Sequence, residues 1–304
     1  METRKIGSLE VSVVGLGCNN FGSRLDAAGT AAVVNATLDA GITFFDTADI
    51  YGKTKSEEYL GQALGARRRE VLIATKFGMP LDEQHKGARP EYVRQAAEDS
   101  LRRLGTDHID LYQLHQPDPT VPIADTLGAL HELVQAGKVR EIGCSNFSVA
   151  QLREAEEAAR GRTRFVSVQN HYSLLHRAPE QDGVLSECER LSLAFLPFFP
   201  LASGLLTGKY RKGQPVPEGT RLQAGSKQLT EQNLDIVEGL IQFAESRGHT
   251  ILELAISWLL AQPVVASVIA GATRPDQVQA NVASAGWRLT DADLAEIDSI
   301  VRAA

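Results

Sequence analysis

Four side chains of the kinds that move protons stand at the ends of three successive β-rich runs. GITFFDTADIYG delivers Asp46 and, five residues later, Tyr51; VLIATKFG delivers Lys76, and IDLYQLHQ delivers His115. Strand alternation puts Phe44 with Asp46 on one face, and Leu72 and Ala74 with Lys76 on another. If the strands are neighbours, an acid, a phenol, an amine and an imidazole share one rim. Singly, each has an ordinary explanation: packing for the Tyr beside Gly52, a solvated ion pair for the Lys, a structural donor for the His. Their joint placement is what points to chemistry.

Such a set suits proton delivery to an oxygen. A free phenol titrates near about 10 and is a poor acid at neutral pH. A neighbouring ammonium stabilises the phenolate and is expected to lower that value. Asp46, paired with Lys76, would hold the amine in position and keep it charged. A neutral His115 would donate a hydrogen bond to a substrate carbonyl, and Tyr51 would protonate its oxygen as a hydride reaches the carbon. No nucleophile is required and no metal is expected, since HYSLLH, His171 to His176, has neither the spacing nor the Glu of a zinc helix.

The elements that must position these groups alternate along the chain. Eight apolar runs have strand length: Val13–Gly17, Ile42–Asp46, Val71–Lys76, Ile109–His115, Val139–Ser145, Phe165–Asn170, Leu193–Phe198 and Ala266–Gly271. Between them lie amphipathic helices, Glu91–Leu104 stopped by Gly105 and Ile123–Ala136 stopped by Gly137. Eight strand–helix units predict an α/β fold, a (β/α)8 TIM barrel whose strand C-termini carry the chemistry. No linker divides the chain, so residues 1–304 are expected to form a single domain. Residues 3–12 read as an N-terminal β-hairpin that plugs the barrel's bottom. Thr230–Arg247 and Asp291–Arg302 read as two extra helices, and 200–229 as a long functional loop.

Composition narrows the classes. Lys and Arg number 31 against 38 Asp and Glu in 304 residues, a formal charge of -7, and no basic face for nucleic acid is evident. Cys18, Cys144 and Cys188 are odd in number and far apart, which fits a reducing compartment rather than a disulfide framework. The N-terminus lacks a signal peptide's apolar stretch, and Ile251 to Ala272 is broken by Glu253 and Pro263. A cytoplasmic protein with no membrane partner is expected. Oligomeric state is not legible.

Three motifs mislead. GLGCNNFG has glycines at 15, 17 and 22, off the dinucleotide-fold spacing. Tyr51 and Lys55 spell YxxxK, but Gly52 and a helix cap at Ser56 put Tyr51 in a loop. GLLTGKY is too short for a phosphate loop and has Tyr210 in the Ser/Thr place.

The chain resembles the aldo-keto reductase superfamily over essentially its whole length. The matching motifs are GLGCNNFG, GITFFDTADIYG with SEEYLGQAL, ATKFG, DLYQLHQPD, IGCSNFS, VQNHYSLL, PLASGLLTGKY and IAGATRPDQVQAN, in that order. The resemblance implies a nicotinamide cofactor bound without a Rossmann domain, and the tetrad Asp46, Tyr51, Lys76 and His115 with Tyr51 as proton donor. It also implies the cofactor's ligands: Ser145, Asn146 and Gln169 for the nicotinamide carboxamide, with Asp46 alongside. Gly17 and Cys18 would lie near the cofactor, and Phe198 would stack on the nicotinamide. Leu201, Ser203, Gly204 and Leu205 would cross the pyrophosphate, where small residues let backbone amides approach the anion. Lys209 and Arg221 would address phosphates, and Gly271, Thr273, Arg274, Gln277 and Asn281 the adenosine 2'-phosphate and adenine. Three basic residues in an acidic protein favour NADPH (NADP+) over NADH.

Some positions depart from the family's pattern, the YGKTKSEE segment between Tyr51 and Ser56 among them. Phe199 stands where many members have a serine, and Ala280 where an acid often precedes Asn281. The expected activity is reduction of an aldehyde or ketone to an alcohol, or the reverse, on a small-molecule substrate. A cofactor-binding, redox-sensing regulatory subunit, as in the channel-associated branch, is the alternative. The absence of a long N-terminal extension favours the enzyme.

Overall fold

The computed structural model describes residues 1–303. A hairpin of β1 (Thr3–Ile6) and β2 (Leu9–Ser12) precedes eight parallel strands: β3 (Val14–Gly17), β4 (Phe44–Asp46), β5 (Leu72–Phe77), β6 (Ile109–Leu114), β7 (Val139–Ser145), β8 (Ser167–His171), β9 (Ala194–Phe198) and β10 (Val268–Gly271). Each expected run is a strand, with ends displaced by at most two residues. The strands hydrogen-bond in the order β10-β3-β4-β5-β6-β7-β8-β9. The two edges meet where Phe195 N donates to Val264 O at 2.7 Å and Ala266 N to Phe195 O at 3.1 Å. The result is a nearly closed (β/α)8 barrel.

The helices are α1 (Ala27–Asp39), α2 (Lys55–Leu64), α3 (Pro90–Leu104), α4 (Ile123–Gln135), α5 (Val149–Ala158), α6 (Ala178–Gln181), α7 (Val184–Leu191), α8 (Glu231–Glu245), α9 (Ile251–Leu260), α10 (Pro275–Ala283) and α11 (Asp291–Ala303). Helix α3 ends on Gly105 in the left-handed region at φ 63°, where a Cβ would be strained. Capping boxes start α5 (Ser148 with Gln151) and α9 (Thr250 with Glu253), each satisfying two orphan backbone donors. The extra helices are α8 and α11, as periodicity indicates. The single-turn α6 is too short to show a period. The expected cap at Ser56 is corrected: α2 starts two residues earlier, with Thr54 at its N-cap.

Two cores hold the fold. One lies between the strands and the helical ring. The other fills the barrel's lower interior, where Ile6, Leu9 and Val11 of the hairpin pack with Phe44, Ala74, Leu111, Leu196 and Ile269. The hairpin is thus the barrel's floor. Alternation carries the inward face upward from these residues to Asp46, Lys76, Gln113, Ser145 and Gln169, all buried. The interior therefore changes from apolar to polar toward the strands' C-terminal ends, and the polar layer faces the loops.

Candidate active site

Tyr51 sits in the loop between β4 and α2. Gly52, Lys53 and Thr54 all have positive φ and turn the chain sharply into the helix. The loop is pinned from behind: Ser56 Oγ donates to Cys18 O at 2.9 Å and lies 2.8 Å from Thr47 Oγ1. Ser56 therefore ties the loop to the end of β3 rather than capping α2.

Lys76 is fully buried and donates to Asp46 Oδ2 at 2.7 Å and to Thr47 O at 2.9 Å. An ammonium has three N–H groups, and its remaining neighbour is Tyr51, whose ring centroid is 5.2 Å from Nζ. The second oxygen of Asp46 accepts from Gln169 Nε2 at 2.9 Å and Gln113 Nε2 at 3.4 Å. Burial pulls the Lys76 pKa down, but Asp46 and Tyr51 together hold it above its ordinary value. The amine is charged.

The expectation that Lys76 lowers the phenol's pKa below its ordinary value is corrected. Burial raises the Tyr51 pKa, and the opposing pull of Lys76 limits the rise without reversing it. Loss of water around a phenolate outweighs one nearby cation. His115 lies edge-on to Tyr51, with ring centroids 5.8 Å apart. Burial first, and the charge of Lys76 second, push its pKa down to about 3. Its imidazole is neutral, and Nδ1 has no hydrogen-bond partner among the described residues.

Above these groups opens a cavity of about 650 Å³, lined by Asp46, Tyr51 and His115 at its floor. Ser145, Asn146 and Gln169 form one wall. They are tied together: Ser145 Oγ donates to Gln169 O at 2.6 Å, and Asn146 Nδ2 to His115 O at 3.0 Å. Phe198 faces the cavity and stacks on His171, which stacks in turn on His176 with centroids 3.8 Å apart. Gly17 and Gly271 line the cavity where β3 and β10 end.

The remaining candidates fall on the rim. Leu201, Ser203, Gly204, Lys209 and Arg221 come from the loop after β9. Gly204 has φ 100°, and a Cβ there would meet Lys209 Cε at 2.8 Å, so the backbone is bare at the cavity. Thr273, Arg274, Gln277 and Asn281, from the segment after β10 and from α10, also line the cavity, with Gln277 Oε1 accepting from Thr273 N at 2.8 Å. Cys18 and Leu205 are buried behind the wall and do not line the cavity. Lys76 does not line it either, and acts on it through Tyr51.

Two residues of the site escape the motif reading. Gln113, a donor to Asp46, is detectable as the residue two before His115 on the same strand face. Arg24 lines the rim from the β3–α1 loop, and no sequence signal marks it. Asp46, held by Lys76, is the one carboxylate on the wall. No described carboxylate pairs with Arg24, Lys209 or Arg221, whereas Arg274 pairs with Asp276 at 2.9 Å. A cavity of this size with a neutral floor and a cationic rim fits a ligand with an aromatic end and several anionic groups, such as a phosphorylated dinucleotide.

A sequence model of the Aldo/keto reductase family matches residues 13–302. A fission-yeast (Schizosaccharomyces pombe) protein named NADP(+) aldo-keto reductase yakc is 34% identical, over 97% of this chain and 90% of its own. A probable voltage-gated potassium channel subunit beta of Oryza sativa subsp. japonica is 33% identical, over 93% and 90%. Among solved structures, the glycerol dehydrogenase AKR11B4 of Gluconobacter oxydans superposes with a TM-score of 0.87 at 31% identity, covering 99% of this chain and 95% of that one. No described helix is long and apolar enough to cross a membrane.

Proposed function

We propose, from the premise that this chain belongs to the aldo/keto reductase family and is an oxidoreductase of the aldehyde or ketone/alcohol couple, that it works with NADP(H) and uses Tyr51 as proton donor. The observation that carries this reading is the convergence of a protonated phenol and a neutral imidazole on the floor of one cation-rimmed cavity, with a buried ammonium beside the phenol.

Ser145, Asn146 and Gln169 would hold the nicotinamide end against Phe198; Gly17, Leu201, Ser203 and Gly204 would flank the pyrophosphate. Lys209, Arg221, Thr273, Arg274, Gln277 and Asn281 would hold the phosphates and adenosine. When bound, the reduced nicotinamide supplies the hydride. His115, neutral across the physiological range, orients the carbonyl oxygen as an uncharged donor. Tyr51 hands its proton to that oxygen as negative charge develops there. Its raised pKa keeps it protonated until then, and the neighbouring Lys76 charge stabilises the phenolate left behind. Asp46, saturated by Lys76, Gln169 and Gln113, fixes the amine and keeps it charged. The same residues in reverse take a proton from an alcohol.

The substrate is a small carbonyl compound or alcohol. The relative named for a potassium channel motivates a second reading, in which the cofactor reports redox state and turnover is incidental. Steady-state NADPH oxidation with a panel of aldehydes and ketones separates the two. Sustained turnover supports the reductase; oxidation limited to one cofactor equivalent supports the regulatory reading.

A further inference from the structure

We propose that Arg24 and Arg221 form a two-armed site for a single phosphoryl group, joining the β3–α1 loop to the long loop after β9 across the cavity mouth. This deepens the NADP(H) reading and rests on it. The two residues are far apart in sequence, yet both line the same cavity. They are close enough that the charge of Arg24 acts on Arg221, whose pKa is lowered first by its partial burial and then by that charge. Two like charges brought together destabilise the protein unless an anion comes between them.

The surroundings make the pair's lack of carboxylates informative. Two neighbouring cations of the same long loop are neutralised: Arg211 by Glu238 at 2.7 Å, and Lys212 by Glu231 and Asp235. Those two do not line the candidate cavity, whereas Lys209 and Arg221, which do, have no carboxylate partner among the described residues. Arg221 is held instead by an aromatic face, with its guanidinium carbon 5.0 Å from the Phe199 ring centroid. Phe199 adopts φ 53°, an uncommon conformation for an aromatic residue, and stays partly exposed. A ring in this place orients a guanidinium without neutralising it. The departure from serine at Phe199 thus replaces one hydroxyl by a platform for a cation.

Two planar guanidinium forks lining one cavity suit the oxygens of a phosphoryl group, which accepts bidentate hydrogen bonds from each. That group can belong to the dinucleotide or to a phosphorylated carbonyl substrate. The test uses the full-length protein, with wild type, Arg24→Ala, Arg221→Ala and the double variant titrated with NADPH by nicotinamide fluorescence. A second arm measures KM for an aldehyde and for its phosphorylated counterpart. If the dinucleotide supplies the group, each single variant weakens NADPH about ten- to hundredfold, and the double variant loses less than the product. If the substrate supplies it, NADPH affinity holds and KM rises for the phosphorylated aldehyde alone. Arg24→Ala within twofold of wild type in both arms overturns the proposal while leaving the reductase reading intact. Wild-type protein that bound no NADPH would overturn both.

Discussion

Lys76 Nζ lies 2.7 Å from Asp46 Oδ2 in a pair almost wholly withdrawn from solvent. Such a pair is weak evidence for stability but strong evidence for position, because removing either charge strands the other. Asp46→Asn leaves the ammonium buried without its counter-charge. The expected cost is about 3–5 kcal/mol in urea unfolding at pH 7, with a fall in turnover larger than any change in KM. An unchanged unfolding free energy would show that Asp46 does not hold the amine.

His115 supplies an acid-side prediction. Its folded-state pKa is about 3, below the ordinary 6.5, so between these values the unfolded chain binds more protons. Its contribution to stability is therefore full above about pH 6.5 and is lost as pH falls toward 3. Relative to His115→Asn, the wild type should lose about 2–3 kcal/mol on going from pH 7 to 4.5. Urea unfolding at the two values measures it, and parallel losses in both proteins would contradict the assignment. The pH profile of reduction should show no limb near 6.5 from His115.

Asp49 is buried within the same loop as Tyr51, with neither carboxylate oxygen hydrogen-bonded among the described residues. Burial, and then the negative charge of Glu57, raise its pKa to about 8 against the pull of Arg103. Here the sign is opposite: the folded state holds the extra proton, so stability declines as pH rises from about 4 to 8. Asp49→Asn should be close to neutral at pH 4 and stabilising at pH 8.5. Thermal melts at the two values test this, and an equal effect at both would refute it.

Arg274 donates to Asp276 through Nε and Nη2 on an exposed rim. To meet a 2'-phosphate it must exchange that carboxylate for another anion, which limits the gain. Arg274→Ala should weaken NADPH by about 1–2 kcal/mol more than NADH, whereas Asp276→Asn should tighten NADPH selectively. Fluorescence titration decides; equal changes for both cofactors would remove Arg274 from the 2'-phosphate site.

Much of this architecture is legible before any coordinate. Buried parallel strands are near-continuous apolar runs, so all eight stand out, and alternation within them already aims Asp46 and Lys76 inward. What escaped depends on tertiary packing. Arg24 reaches the rim because Gly22 N donates to Leu25 O and Arg24 N to Asn20 O, a fold of the loop that no periodicity encodes. The direction of the Tyr51 pKa depends on how much water the surrounding loops remove, which spacing does not reveal. Ser56 looks like a helix cap in sequence, but its hydroxyl is used by Cys18 and Thr47.

The decisive measurement is NADPH affinity and steady-state reduction in Tyr51→Phe, which removes one oxygen and leaves Lys76, His115 and the cavity in place. Turnover reduced by about 10²–10⁴-fold with NADPH affinity near the wild-type value is the predicted result. Turnover retained near the wild-type rate would contradict the assignment of the proton to Tyr51.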